Sequence, residues 1–146
     1  MIRFGTLLAV VLLAGCQSAP TGYREQSNTP PTSHMSRSEA VNLAALWQLA
    51  DTQHRSYSFV SATGSMLPVL GSNSVLLLES VTVADLKKND IAIYENAAGN
   101  GTIVHRAKAV SPDGVYFEGD NNTWPDGWIK PDRIRWRVAG ILYTSP

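Results

Sequence analysis

The chain carries a single cysteine, Cys16, so no disulfide can form within it. Many small domains depend on disulfides; this one has to be held by packing and hydrogen bonds. It also lacks a surplus of either charge. Twelve basic and twelve acidic side chains cancel among 146 residues, which removes the whole-molecule field that draws nucleic acid or anionic lipid. No Cys/His cluster has metal-ligand spacing, no internal repeat is present, and no cofactor is expected. The longest apolar stretch, Phe4 to Leu13, falls short of the ~20 residues a permanent membrane-crossing helix requires. What remains is room for one domain of modest size.

Residues 1–15 have the three parts of a secretion signal. Arg3 supplies the positive start, Phe4 to Leu13 is apolar apart from Gly5 and Thr6, and Ala14 and Gly15 are small. Leu13-Ala14-Gly15-Cys16 resembles a bacterial lipobox. That resemblance implies cleavage before Cys16, which becomes the first mature residue and carries acyl chains as a membrane anchor. Gln17 is not an aspartate, so the family's sorting rule implies an outer-membrane location facing the periplasm. Residues 16–35 read as the acylated cysteine and a flexible tether, rich in Ser, Thr, Gln, Asn and Pro and without apolar periodicity.

Residues 36–56 read as a helix. Ser36 and Glu39 have capping-box spacing, and Leu43, Leu46, Trp47 and Ala50 recur on one face. That stripe is expected to pack against the following domain, and the helix to end near His54 or Arg55, where cations suit the negative end of the helix dipole. Residues 57–146 have β texture. Strand-like runs are Tyr57–Ala62, Ser74–Leu78, Ile91–Tyr94, Thr102–Val110, Val115–Phe117 and Ile134–Tyr143, joined in part by Asn100-Gly101 and Pro112-Asp113-Gly114. The expected class is mainly β, a single domain preceded by one amphipathic helix.

Three segments could carry chemistry. In Thr63-Gly64-Ser65-Met66-Leu67-Pro68 a serine follows a strand-like run, with Gly64 permitting close approach of another backbone and Pro68 fixing the exit. In Ile103-Val104-His105-Arg106-Ala107, strand parity puts His105 on a face with Ile103, Ala107 and Ala109, opposite Arg106 and Lys108. A partly desolvated general base fits there, and so does a core histidine. The third is Gly119-Asp120-Asn121-Asn122 with Asp126 six residues after Asp120, a turn-forming polar stretch.

In this order the segments resemble the type I signal peptidase and LexA superfamily. Ser65-Met66-Leu67-Pro68 is similar to its nucleophile box, Gly119 to Asn122 to its aspartate-bearing box, and Arg135 to Tyr143 to its closing strand. Asn89-Asp90-Ile91-Ala92 is similar to the segment usually written Gly-Asp-Ile-Val. Bacterial leader peptidases and LexA use a lysine as base. Val104-His105-Arg106 is similar instead to the histidine variant found in eukaryotic secretory membranes and in archaea. The resemblance implies a LexA/signal-peptidase-like β domain and a serine endopeptidase acting on an extended polypeptide, with small side chains before the scissile bond. It makes Ser65 the nucleophile, His105 the general base and Asp126 the group that orients the imidazole, with Asp120 as a supporting or alternative acid. The oxyanion hole is then the Ser65 N–H with the Thr63 hydroxyl. The alternative from another class is a catalytically inactive peptide-binding lipoprotein on the same fold. Expected partners are a polypeptide and, through the lipid anchor, a membrane, with no nucleic acid and no metal.

Overall fold

Runs of β-branched, aliphatic and aromatic residues between turn formers settle here as seven strands of one antiparallel sheet. The computed structural model describes residues 28–146. The signal segment 1–15, Cys16 and the first part of the tether lie outside the described residues. The strands are β1 (Arg55–Phe59), β2 (Ser74–Ser80), β3 (Ile91–Glu95), β4 (Thr102–Ser111), β5 (Gly114–Glu118), β6 (Gly127–Ile129) and β7 (Ile134–Tyr143), preceded by the helix α1 (Arg37–Leu49). Their order across the sheet is β1-β2-β7-β3-β4-β5-β6. The last strand is inserted between β2 and β3, so the C-terminal run ties the first hairpin to the rest. The protein is thus mainly β, a single β domain preceded by one helix.

The strands explain why the centre of the sheet is apolar on both faces. Successive residues of a strand point to opposite sides, and β3 uses both. Ala92 and Tyr94 join a core with Val83, Leu86, Ala107, Val115, Phe117, Ile129 and Ile134. Ile91 and Ile93 join a second with Met66, Leu70, Leu76 and Leu78. Each large side chain fully buried in this way contributes roughly 1.5–3 kcal/mol. A third, smaller cluster seats α1: Ala40 and Ala44 pack on Val75, flanked by Met35, Tyr57, Leu77 and Leu142.

Several local expectations are corrected. The capping box at Ser36 and Glu39 forms, but the helix stops at Leu49 rather than at His54 or Arg55. The Asp51 backbone and carboxylate accept the His54 and Arg55 N–H groups in a tight turn, and the Arg55 guanidinium lies 4.0 Å over the Trp47 ring. The inward face of α1 is Ala40, Ala44 and Trp47, whose indole N–H donates to the Leu78 carbonyl at 3.2 Å. Alanines let the helix lie close to the sheet, and that turns Leu43 and Leu46 outward, 46% and 63% exposed. The C-terminal part of the expected tether is held on the domain. Asn73 donates to the Pro31 carbonyl at 2.9 Å, Ser145 N–H to the Met35 carbonyl at 2.8 Å, and Ser33 to the Tyr143 carbonyl. Ala62 lies in a turn instead of in β1, and β6 was not among the expected strands. A bulge in β4 makes Ala109, not Lys108, the partner of Tyr116. Parity flips there, so Val110 returns to the face of His105 and Ala109 leaves it.

Candidate active site

Ser65 sits in the connection between β1 and β2. Gly64 adopts φ +75°, a left-handed conformation that a side chain would strain. The next residue, Met66, is 2% exposed and plugs the second core, with Leu70 one turn further on at 1%. Ser65 is therefore clamped between a glycine turn and a buried anchor. The turn after β5 supports it from the other side. Asn121 donates its backbone N–H to the Ser65 carbonyl at 2.9 Å and its side-chain amide to the Gly64 carbonyl at 3.1 Å. A Cβ on Gly119 would stand 2.7 Å from that Ser65 carbonyl, so the approach requires glycine at 119.

His105 is on β4 opposite Ala92 of β3 and is 5% exposed. Asp126 ends the β5–β6 connection, directly before β6, its backbone N–H donating to the Phe117 carbonyl at 2.9 Å. These three elements bring the side chains into one chain of hydrogen bonds. His105 Nδ1 is 2.5 Å from Asp126 Oδ2, and His105 Nε2 is 3.0 Å from Ser65 Oγ. A carboxylate only accepts, so Nδ1 carries the proton it donates, and Nε2 is left with a lone pair facing the serine hydroxyl. Such an arrangement can take the proton from Ser65 Oγ while the carboxylate stabilises the imidazolium that forms. The Thr63 hydroxyl is 3.4 Å from Ser65 Oγ, and the Ser65 N–H has no acceptor among the described residues. The Ser65 N–H is thus unengaged beside Oγ, and the Thr63 hydroxyl, whose partner is that Oγ, lies next to it; a negative charge developing there would have both donors within reach.

Asp120 departs from what was expected of it as an alternative acid. It makes no contact with His105. Its two oxygens accept from Arg106 Nε at 2.7 Å and Nη2 at 2.6 Å, a bidentate pair on the opposite side of β4, and Lys108 Nζ is 4.0 Å away. Arg106 also donates to the Asn89 carbonyl at 2.9 Å. Asp120 therefore locks the 119–122 turn, which in turn holds the Ser65 backbone. Lys108 is committed to this side and does not reach the serine. Asn121 and Gly119 were legible only as members of a turn-forming stretch, and their role on Ser65 follows from the fold.

Tyr94 was not singled out from the sequence. It is 1% exposed, stacked on Phe117 at 4.6 Å and edge-on to His105 at 6.5 Å. Burial, together with the nearby Asp126 carboxylate, pushes its hydroxyl far above the usual tyrosine range, so it stays a neutral donor. The sequence signal available was strand parity, which sets Tyr94 on the face of Ala92.

A cleft of about 360 Å³ opens beside Ser65 and His105, floored by Met66, Leu70, Ile93 and Val104. Two strand edges border it. β1 is one of the two outermost strands, and β5 pairs with β4 only from Arg106 onward, which leaves the outer edge of Thr102–His105 without a partner strand among the described residues. Also among the described residues, no three His, Cys, Asp or Glu side chains are grouped so as to hold a metal ion. No protein-family model matches the chain, and no curated protein matches it.

Proposed function

We propose that this chain is a serine endopeptidase of the signal-peptidase and LexA type, exported and tethered to a membrane by acyl chains on Cys16. The observation that carries the peptidase reading is the unbroken Ser65–His105–Asp126 hydrogen-bond chain, whose first two members line a cleft with an apolar floor. Ser65 gives its proton to His105 Nε2 as Oγ attacks the scissile carbonyl. The Ser65 N–H and the Thr63 hydroxyl receive the developing oxyanion. The imidazolium then protonates the leaving amine, and water, activated by the same histidine, releases the acyl group. An extended substrate fits the free backbone edge of Thr102–His105, where main-chain hydrogen bonds would fix its register. The modest apolar cleft suits small side chains before the cut.

Trapping the acyl intermediate tests this directly. Incubation with an activated ester of an N-blocked alanine is expected to add one acyl group to the protein, mapped by mass spectrometry to Ser65. Acylation elsewhere, at the same rate in Ser65→Ala, would count against the mechanism. The anchor is a separate question, resting on the lipobox-like Leu13-Ala14-Gly15-Cys16. Cells expressing the full chain should incorporate labelled fatty acid into it, and Cys16→Ser should abolish the label. Equal labelling of the mutant removes the lipoprotein reading and leaves the peptidase reading untouched.

A further inference from the structure

Asp126 has two carboxylate oxygens, and His105 occupies one of them. Oδ2 takes the Nδ1 proton at 2.5 Å, while Oδ1 accepts no hydrogen bond from the described residues. A carboxylate held at a single point can rotate about its Cβ–Cγ bond, which would swing Oδ2 away from the imidazole. The 19% exposure of this side chain leaves room for such motion. Something must fix the plane of the group if the hydrogen bond is to persist.

The donor in place is Tyr94. Its hydroxyl is one of only two buried side-chain polar atoms without a hydrogen-bond partner among the described residues. Buried polar groups are otherwise almost always paired, and leaving one unmade is costly. The ring has no freedom to seek a partner elsewhere, because Phe117 stacks on one side at an interplanar angle of 27° and His105 meets it edge-on. Phe117 also holds Asp126, accepting its backbone N–H at 2.9 Å. One residue therefore fixes both the tyrosine ring and the aspartate backbone. The hydroxyl makes no hydrogen bond of ordinary length and angle, yet the Asp126 carboxylate is the charge that most affects it. A buried, orphaned donor and a partly exposed, half-used acceptor thus flank the same imidazole and the same Phe117.

We infer that Tyr94 is a positioning residue of the site, whose hydroxyl donates to the Asp126 carboxylate and holds it in line with His105 Nδ1. This rests on the peptidase reading only for its kinetic consequence; the contact itself stands or falls separately. Other charges near the group are accounted for. The Arg133 guanidinium is engaged with the Glu95 carbonyl, and Arg106 and Asp120 neutralise each other on the opposite face of β4. Neither competes for Asp126. Tyr94 lies outside the lining of the cleft, so its effect should fall on the chemical step and not on substrate binding.

The test is Tyr94→Phe, which keeps the ring and its stacking and removes one oxygen. The Nδ1 proton of His105, observed by low-temperature NMR in the intact protein, should shift clearly between wild type and variant. In turnover, Tyr94→Phe should lower kcat about tenfold with KM unchanged. In an Asp126→Asn background the same change should cost less than about twofold, because the interaction it removes is already gone. An unaltered Nδ1 resonance in a folded Tyr94→Phe protein would overturn the inference, and so would equal losses in the two backgrounds. If wild type hydrolyses no peptide at all, the peptidase reading fails while the resonance still decides the role of Tyr94.

Discussion

Ser65→Ala and His105→Ala are each expected to reduce peptide hydrolysis by about 10⁴- to 10⁶-fold, while the far-ultraviolet circular dichroism spectrum stays that of the wild type. The size follows from the linkage of the two groups. Without the hydroxyl there is no nucleophile, and without the imidazole the hydroxyl at 3.0 Å has no acceptor for its proton. Either loss removes the same step, so the double variant should be no worse than the single ones. Folding should survive because Ser65 adds little to the core, and the backbone around it is held by Gly64, Met66 and Asn121. The geometry leaves Lys108 no part as the base, because its ammonium faces Asp120. Hydrolysis by Ser65→Ala at the wild-type rate sinks the mechanism. A wild type that binds extended peptides in the cleft yet never cuts them favours the inactive binding lipoprotein instead.

How much could be read in advance depended on how local the determinant was. The Ser36–Glu39 capping box is settled within four residues, and it formed as expected. The strand runs were legible for a related reason: period-two alternation between turn formers is a local pattern, although β6, with only Gly127–Ile129 between Asp126 and Lys130, is too short to show one. The buried face of the helix is not a local property. A stripe of leucines and a stripe of alanines compete on α1, and the closeness of β2 beneath it decides for Ala40 and Ala44. The bulge in β4 is equally invisible, since nothing in Ala107-Lys108-Ala109 announces the extra residue that flips Ala109. For the site, the motif resemblance named Ser65, His105 and Asp126 together. It gave Asp126 the orienting role while keeping Asp120 as a supporting or alternative acid, and it could not find Tyr94, whose relation to Asp126 exists only once β3, β4 and the β5–β6 return are assembled.

That division of labour gives the second large effect. Asp126→Asn should lower kcat by about 10⁴-fold with a melting temperature close to wild type. An amide at this position can present its NH₂ to His105 Nδ1, which stabilises the tautomer with its proton on Nε2 and leaves no lone pair for Ser65. The stability cost is small because the carboxylate sits at the surface end of the chain and its backbone N–H bond to Phe117 remains. Asp120→Asn should behave differently. Its carboxylate forms a bidentate pair with Arg106, and the two side chains are only 13% and 22% exposed. Losing the charge leaves a largely desolvated guanidinium short of its partner, at a cost of about 2 kcal/mol, or roughly 5–10 °C in melting temperature for a domain of this size. Activity should fall too, but through the 119–122 turn, whose Asn121 holds the Ser65 and Gly64 carbonyls. Turnover and melting temperature measured on both variants separate the two roles. A stable, inactive Asp120→Asn beside a nearly normal Asp126→Asn would reverse them and would make the 2.5 Å contact between Asp126 and His105 incidental to the chemistry.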